Sequence, residues 1–400
     1  MVGYLVLVLN VRLNEKVCRM FNPYNVDLSQ ENIDVIQKNN TILLSYGIAC
    51  HFDKPYHREC RGHIWHYDGI SWKRFSRPYD KFWNLHESKC VLKLEEEYVL
   101  INGNKYSYED IYLTPKEDGT CIQLYYDYEI GKWIPNTLGT LHVSNIFNVG
   151  ITFQELFWKL SKEKYGISES LINETFNKDN TYLFEICADV NRIVTRYSTD
   201  RIYFVTSRNI SDGHYLTSNE FSNEKPLLMT YHQITRFKVN NKNELMKLLK
   251  QYENDNDDKK FPEGFVVCAN NGECIAKIKN EKYILYHGVL SGDPVFKRKQ
   301  IVRLFFQNGL DDIPPEFFNE QDEAFVQRLK TYVNSLILEI EQKIQEKESK
   351  VFNTRKDYAL WVTANIPSQV NGYFFQGCQG SFKDWLKERV EKNIDTYIYL

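Results

Sequence analysis

The stretch Lys116-Glu117-Asp118-Gly119-Thr120 decides how this chain folds. It lies just ahead of an alternating run, Cys121, Ile122, Gln123, Leu124 and Tyr125, and reads as a strand-loop-strand junction. A lysine two residues before Asp-Gly can act as a nucleophile if its amine is held neutral beside a phosphate. The motif is short and carries little weight alone. Its companions follow in order: Phe184-Glu185, Glu263-Gly264-Phe265 and Lys277-Ile278-Lys279. Together they supply a nucleophile, two carboxylates and two cations, the parts that nucleotidyl transfer through a covalent lysine requires.

Outward from that stretch, short alternating segments dominate to about residue 288, at 91–98, 121–126, 182–187, 201–206, 265–269 and 274–278. Two helices interrupt them. One opens at Thr152, which has capping-box spacing to Glu155, presents Phe153, Leu156, Phe157 and Leu160 on one face and stops at Gly166. The other covers 243–252 and runs into a polar loop, 254–260. Beyond residue 290 the period changes. Phe325, Val326, Leu329, Tyr332, Val333, Leu336, Ile337, Ile340 and Ile344 recur at three- and four-residue steps, a long amphipathic helix. Segments 355–366 and 381–394 read as further helices, with Ser381 as a cap. The expected class is α+β: an antiparallel-sheet nucleotidyltransferase domain over 1–288, then an all-helical domain over 289–400.

Composition bounds the function. The chain has 400 residues, 42% hydrophobic and 14% aromatic, enough for sizeable cores. A net charge of −3 argues against indiscriminate coating of nucleic acid but allows a local basic groove. The apolar run 2–9 is too short to span a bilayer and lacks the flanks of a signal peptide, so it reads as a buried strand. Nine scattered cysteines fit a reduced intracellular, cytoplasmic protein. Cys50, His51, His57, Cys60, His63 and His66 match no standard zinc spacing and read as strand and loop residues.

The chemistry follows from residue types. Lys116 must lose a proton before it can attack phosphorus, and neighbouring positive charge lowers a lysine pKa. Lys277 and Lys279 alternate on one strand, so their side chains share a face. They either approach a common phosphate, depressing the Lys116 pKa, or are solvated lysines of an edge strand. Asp118, Glu185 and Glu263 are candidates for a hydrated divalent cation, which usually takes one or two carboxylates directly. Upstream, Arg61 and Lys81 either clamp triphosphate oxygens or are surface charges.

With these residues in view, the chain resembles the phage-type RNA ligase 1 family within the covalent nucleotidyltransferases, from about residue 46 to 358. The resemblance is carried by Glu59-Cys60-Arg61-Gly62, the block 77–85, Lys116 to Thr120, Phe184-Glu185, Asn191-Arg192-Ile193-Val194, Glu263-Gly264-Phe265, Lys277-Ile278-Lys279 and Asp311-Asp312. It implies three steps: adenylylation of Lys116 by ATP with magnesium or manganese, transfer of AMP to an RNA 5′-phosphate, and sealing by a 3′-hydroxyl. It implies that Arg61 and Lys81 meet ATP phosphates and that Glu117 and Gly119 bind nucleotide. Glu185 and Glu263 would meet ribose or metal water, Lys277 and Lys279 the α-phosphate. Tyr46 and the strand 202–205, with Phe204, would border the nucleotide. Asp118, Glu185 and Glu263 would serve a metal, and Asp311-Asp312 a second one. The helical domain would help choose the RNA, in particular a tRNA with a broken anticodon loop. One departure is Leu138-Gly139, where the family carries a basic residue before the glycine.

Two rival readings fit the same residues. A DNA ligase or mRNA-capping guanylyltransferase would follow the catalytic domain with the alternating strands of an OB-fold. A non-catalytic RNA-binding protein would be expected to have lost the nucleophile. The chain has no GxxxxGK[ST] phosphate loop, so a separate kinase-phosphatase is expected to prepare RNA ends.

Overall fold

The computed structural model of the chain describes residues 21–47, 49–84, 92–101, 103–141, 145–146, 150–216, 220–221, 223–252, 259–290, 293–306, 310, 318–377 and 382–400. The run 2–9, the pair Asp311-Asp312 and the expected cap Ser381 lie outside the described residues. The chain divides into two compact units, Met1–Tyr283 and Ile284–Leu400, and the division falls inside the helix Glu281–Val289.

Three sheets frame the first unit. Ile33–Lys38, Thr41–Tyr46, Arg61–Tyr67 and Trp72–Ser76 form an antiparallel meander in chain order. A five-stranded sheet runs Lys132–Thr137, Thr120–Asp127, Asn180–Cys187, Arg201–Asn209 and His232–Gln233, antiparallel except for the last pair. A four-stranded sheet runs Trp83–Asn84, Cys274–Lys279, Gly264–Ala269 and Ile111–Lys116, antiparallel except where Trp83 meets Ala276. Lys116 therefore ends a strand of one sheet, and Thr120 begins a strand of another. Apolar residues from both sheets, Tyr112, Leu183, Val266 and Cys268, pack into one cluster with Tyr79 and Phe82, which holds the sheets together behind that crossover.

The helix Phe153–Tyr165 has both halves of the Thr152–Glu155 capping box and ends on Gly166 in the left-handed region. A cap of this kind is worth about 1 kcal/mol. Its face buries Leu156, Phe157 and Leu160 against the five-stranded sheet, each contributing roughly 1.5–3 kcal/mol on full burial. The expected strand 91–98 is instead two strands, Leu92–Leu94 and Tyr98–Ile101, of a three-stranded hairpin sheet. Three successive glutamates, 95–97, occupy the turn, where like charges are solvated rather than lined along a strand.

The secondary-structure elements of the second unit, among the described residues, are all helices. Glu320–Glu348 begins at an Asn319–Asp322 capping box and buries Phe325, Leu329, Val333, Leu336 and Ile340, the centre of the expected stripe. Val326, Tyr332, Ile337 and Ile344 flank that centre half-buried. The segment 381–394 is two helices, Phe382–Glu388 and Val390–Ile398, broken at Arg389, whose guanidinium lies over Trp385 and bonds Gln376. The molecule is thus α+β, antiparallel sheets followed by helices. No helix among the described residues is long and apolar enough to cross a membrane.

Candidate active site

The crossover loop is locked from several sides. Lys116 pairs with Gly264, which also pairs with Lys279, so both lysines and the Glu263–Gly264 junction share one row. Gly264 has φ +137°, and a Cβ there would stand 2.1 Å from the Ile278 carbonyl oxygen. Across the gap, Thr120 pairs with Ile186 and Cys121 with Glu185. A Cβ on Gly119 would meet the Ile186 carbonyl oxygen at 2.2 Å, so only glycine allows this approach. The Gly119 amide donates to Glu185. Asp118 accepts from the amides of Val194 and Thr195 at 2.8 and 2.7 Å on one oxygen and from the Tyr283 hydroxyl at 2.6 Å on the other. The Tyr197 hydroxyl accepts from the Asp118 amide at 2.7 Å and donates to Glu117 at 3.0 Å. Asn191 donates to the Thr120 hydroxyl and the Ile186 carbonyl.

The charges beside this loop are unevenly paired. Glu263, 3% exposed, accepts from Lys116 Nζ at 2.7 Å on one oxygen and from Lys279 Nζ at 2.8 Å on the other. Burial alone would lower the Lys116 pKa, but Glu263, Glu185 and Asp118 outweigh it and hold the ammonium above its ordinary value. The expectation that Lys277 and Lys279 depress Lys116 is therefore reversed. The nearest charge to Lys116 is a carboxylate, and Lys279 shares that same carboxylate. The depressed lysine is Lys277, pushed down to about 7 by burial and by the charges of Arg61, Lys116, Lys81 and Lys279. Lys277 and Arg61 both lie over the Phe82 ring, at 4.7 and 4.8 Å, and Arg61 Nη1 is buried with no hydrogen-bond partner. Buried donors and crowded cations of this kind are relieved by an anion.

Both oxygens of Asp118 accept from protein donors and so anchor the loop, as both oxygens of Glu263 accept from lysines. Burial raises Glu185 to about 8, with Lys116 opposing and Glu263 and Asp118 adding to the rise. Among the described residues no group of three or more His, Cys, Asp or Glu side chains is arranged to hold a metal ion. Glu185 and Glu263 fit a hydrated cation carried in on a substrate, which needs only one or two protein carboxylates.

Phe204, Glu117, Arg61, Lys116 and Glu185 line one cavity, and Val205, Phe221 and Tyr112 add apolar wall to it. Tyr46 lies beneath Lys81. Leu138 abuts Gly62, whose Cβ would meet the Leu138 carbonyl oxygen at 2.5 Å. Arg77 and Asp80 brace the scaffold: Arg77 bonds Glu59 and the Ser211 carbonyl, while Asp80 takes a two-armed bond from Arg208. The histidines and cysteines between 50 and 66 are dispersed. His57 bonds Glu31, His66 bonds Thr41, and His63 is buried in the meander. Sequence reasoning missed Tyr197, Tyr283 and Thr195, isolated polar residues without a spacing signal.

A sequence profile for a family described as RNA ligase matches residues 59–292, more than half of the chain, and the chain belongs to that family. An RNA ligase of Rhodothermus phage RM378 is 25% identical over 427 aligned residues, covering 92% of this chain and 93% of the relative. A putative bifunctional polynucleotide kinase/RNA ligase of Autographa californica nuclear polyhedrosis virus is 27% identical over 238 residues, 59% of this chain and 31% of that protein. An archaeal ATP-dependent RNA ligase structure overlays with a TM-score of 0.38 at 12% identity, over 73% of this chain and 65% of that one.

Proposed function

We propose that this RNA ligase is ATP-dependent and works through a lysyl-AMP on Lys116. The observation that carries the reading is the excess of buried positive charge beside the nucleophile: Arg61 Nη1 has no partner, and Lys277 is crowded by four cations. A triphosphate supplies the missing anion. In the first step Lys116 Nζ, after losing a proton, bonds to the α-phosphorus while the bond to pyrophosphate breaks. An RNA 5′-phosphate oxygen then attacks the same phosphorus and Lys116 leaves. Last, an RNA 3′-hydroxyl attacks the 5′-phosphate and AMP departs. Arg61, Lys81, Lys277 and Lys279 bind and orient phosphates, and Phe204 borders the nucleotide. Glu117 and Gly119 act by holding the loop. Glu185 and Glu263 are the residues that would hold magnesium or manganese, which supplies charge neutralisation. Ribose contact at Glu263 would also loosen its hold on Lys116.

The helical unit is assigned to RNA choice, with a nicked tRNA anticodon loop as the substrate. The kinase named in the viral relative belongs to that protein. Here end preparation is assigned to a separate kinase-phosphatase. The DNA-ligase and capping readings need an OB-fold, whereas the described residues after 290 are helical. Labelled ATP with magnesium and a nicked tRNA, beside a nicked DNA duplex, tests the assignment. The native chain is expected to seal the RNA and to take label from ATP but not GTP. Sealing of DNA alone, or labelling by GTP, would sink it.

A further inference from the structure

Two thiols meet in the wall of the cavity. Cys268 pairs with Cys274 across the antiparallel strands Gly264–Ala269 and Cys274–Lys279, and their sulfurs lie 3.9 Å apart. Both are buried, 4% and 8% exposed, and both line the cavity that Lys116 and Arg61 also line. Directly opposed residues in such a pair have Cα atoms roughly 4.5–5.5 Å apart, inside the span that a disulfide bridges. Buried thiols are commonly inert filling of a core. This pair differs because each sulfur has the other as its neighbour and a cavity beside it.

The two thiols are not equivalent. The bond to Cys274 holds the Cys268 thiol below its ordinary range; burial opposes this, while Thr114, the Arg236 charge and Tyr112 add to it. A lowered thiol is the more readily the thiolate, the form that attacks. Cys121 lines the same cavity from another sheet, opposite Glu185, and there burial and the Glu185 charge push the thiol up. The pair also sits close to the proposed chemistry. Thr114 is two residues before Lys116 on its strand and shares its face, and Cys274 is three residues before Lys277.

We propose that Cys268 and Cys274 form a dithiol modification site in the cavity wall, which hydrogen peroxide closes to a disulfide and a reducing thiol reopens, and that closure slows lysyl-AMP formation. The last clause rests on the ATP reading above. The Cys268 thiolate attacks one peroxide oxygen and the O–O bond breaks. The departing oxygen leaves as hydroxide and takes up the proton that Cys268 released, so Cys268 becomes a sulfenic acid. The Cys274 sulfur then bonds to the Cys268 sulfur, the S–O bond breaks, and the hydroxyl leaves as water with the Cys274 proton. The two thiols together lose two electrons, and the peroxide is reduced to water. The sulfurs close from 3.9 Å to about 2.05 Å, and Cys268, no longer able to become a thiolate, loses the charge that holds the Thr114 hydroxyl.

Peroxide treatment of the full chain, alkylation of the remaining thiols and tryptic mapping test the bond. The peptide 261–277 carries both cysteines between Lys260 and Lys277. It is expected unalkylated and lacking both thiol hydrogens until a reducing thiol restores it. Two alkylated thiols, or a stable oxygen adduct on one of them, would overturn the site. The rate of lysyl-AMP formation before peroxide, after it and after reduction tests the consequence. Closure should slow it on the order of tenfold, since a misplacement of about 1 Å can cost about a hundredfold. Cys268→Ser and Cys268→Ala, each compared with its own untreated rate, should be insensitive to peroxide. Inhibition of these variants equal to that of the native chain, or an unchanged rate in the disulfide form, would overturn the link to catalysis. A reduced native chain that forms no lysyl-AMP would mean that the ATP reading has failed, and the peptide mass would still decide the disulfide.

Discussion

Lys116 and Lys277 occupy one site with opposite perturbations, and the contrast follows from which neighbour each has. Lys116 has a carboxylate at 2.7 Å, while Lys277 faces cations. In the free protein, Lys277 loses its proton as pH rises through about 7, so phosphate binding must restore it above that value. ATP affinity should therefore fall on the order of tenfold between pH 7 and 8.5, at 1.36 kcal/mol per pKa unit. In Lys277→Arg the guanidinium stays charged, so the profile should be nearly flat. Calorimetric titration at the two pH values checks this, and an equally steep profile in the variant would remove Lys277 from the account. The proposed site residues stand out in the sequence because the acids interrupt or abut β-type runs: Glu185 within Tyr-Leu-Phe-Glu-Ile, Glu263 before Gly-Phe-Val-Val. The sign of the Lys116 shift was not legible, because it depends on Glu263, Glu185 and Asp118 converging on Lys116 from separate segments.

At the scale of elements, the three-residue crossing between Lys116 and Thr120 ties two sheets, and Gly119 is its tightest point. Gly119→Ala should destabilise the fold by about 1–3 kcal/mol through overpacking against Ile186 and abolish adenylylation. Gly139→Ala, where a Cβ would meet nothing within 4 Å, should leave both within error. Urea unfolding with an ATP-labelling assay measures both, and an unaffected Gly119→Ala would mean the loop can move aside. The local signals were readable: the Thr152–Glu155 box, the Gly166 stop and the Phe325 to Ile340 stripe depend on neighbours in sequence. Sheet membership was not, since Lys116 pairs with Gly264 and Thr120 with Ile186, partners separated by many residues. The same long-range dependence hid Tyr197 and Tyr283, which reach Asp118 from distant segments.

At the scale of the molecule, every residue of the proposed covalent chemistry belongs to the first unit, whose last residue, Tyr283, holds Asp118. A chain truncated after Val289 keeps that contact and should still form lysyl-AMP, while losing its preference for nicked tRNA over unstructured RNA. Competition between the two substrates reads this out, and an unchanged preference would free the helical unit from substrate choice. The change of period near residue 290 made the helical region legible, whereas its role was supplied only by resemblance. The central claim is that the more basic of two neighbouring lysines is the nucleophile. Incubation with ATP and magnesium, followed by intact-mass measurement and peptide mapping of the adduct, tests it most directly. One AMP per chain is expected, on the peptide containing Lys116 and absent from Lys116→Ala. An AMP on the Lys277 peptide, or one that persists in Lys116→Ala, would contradict it.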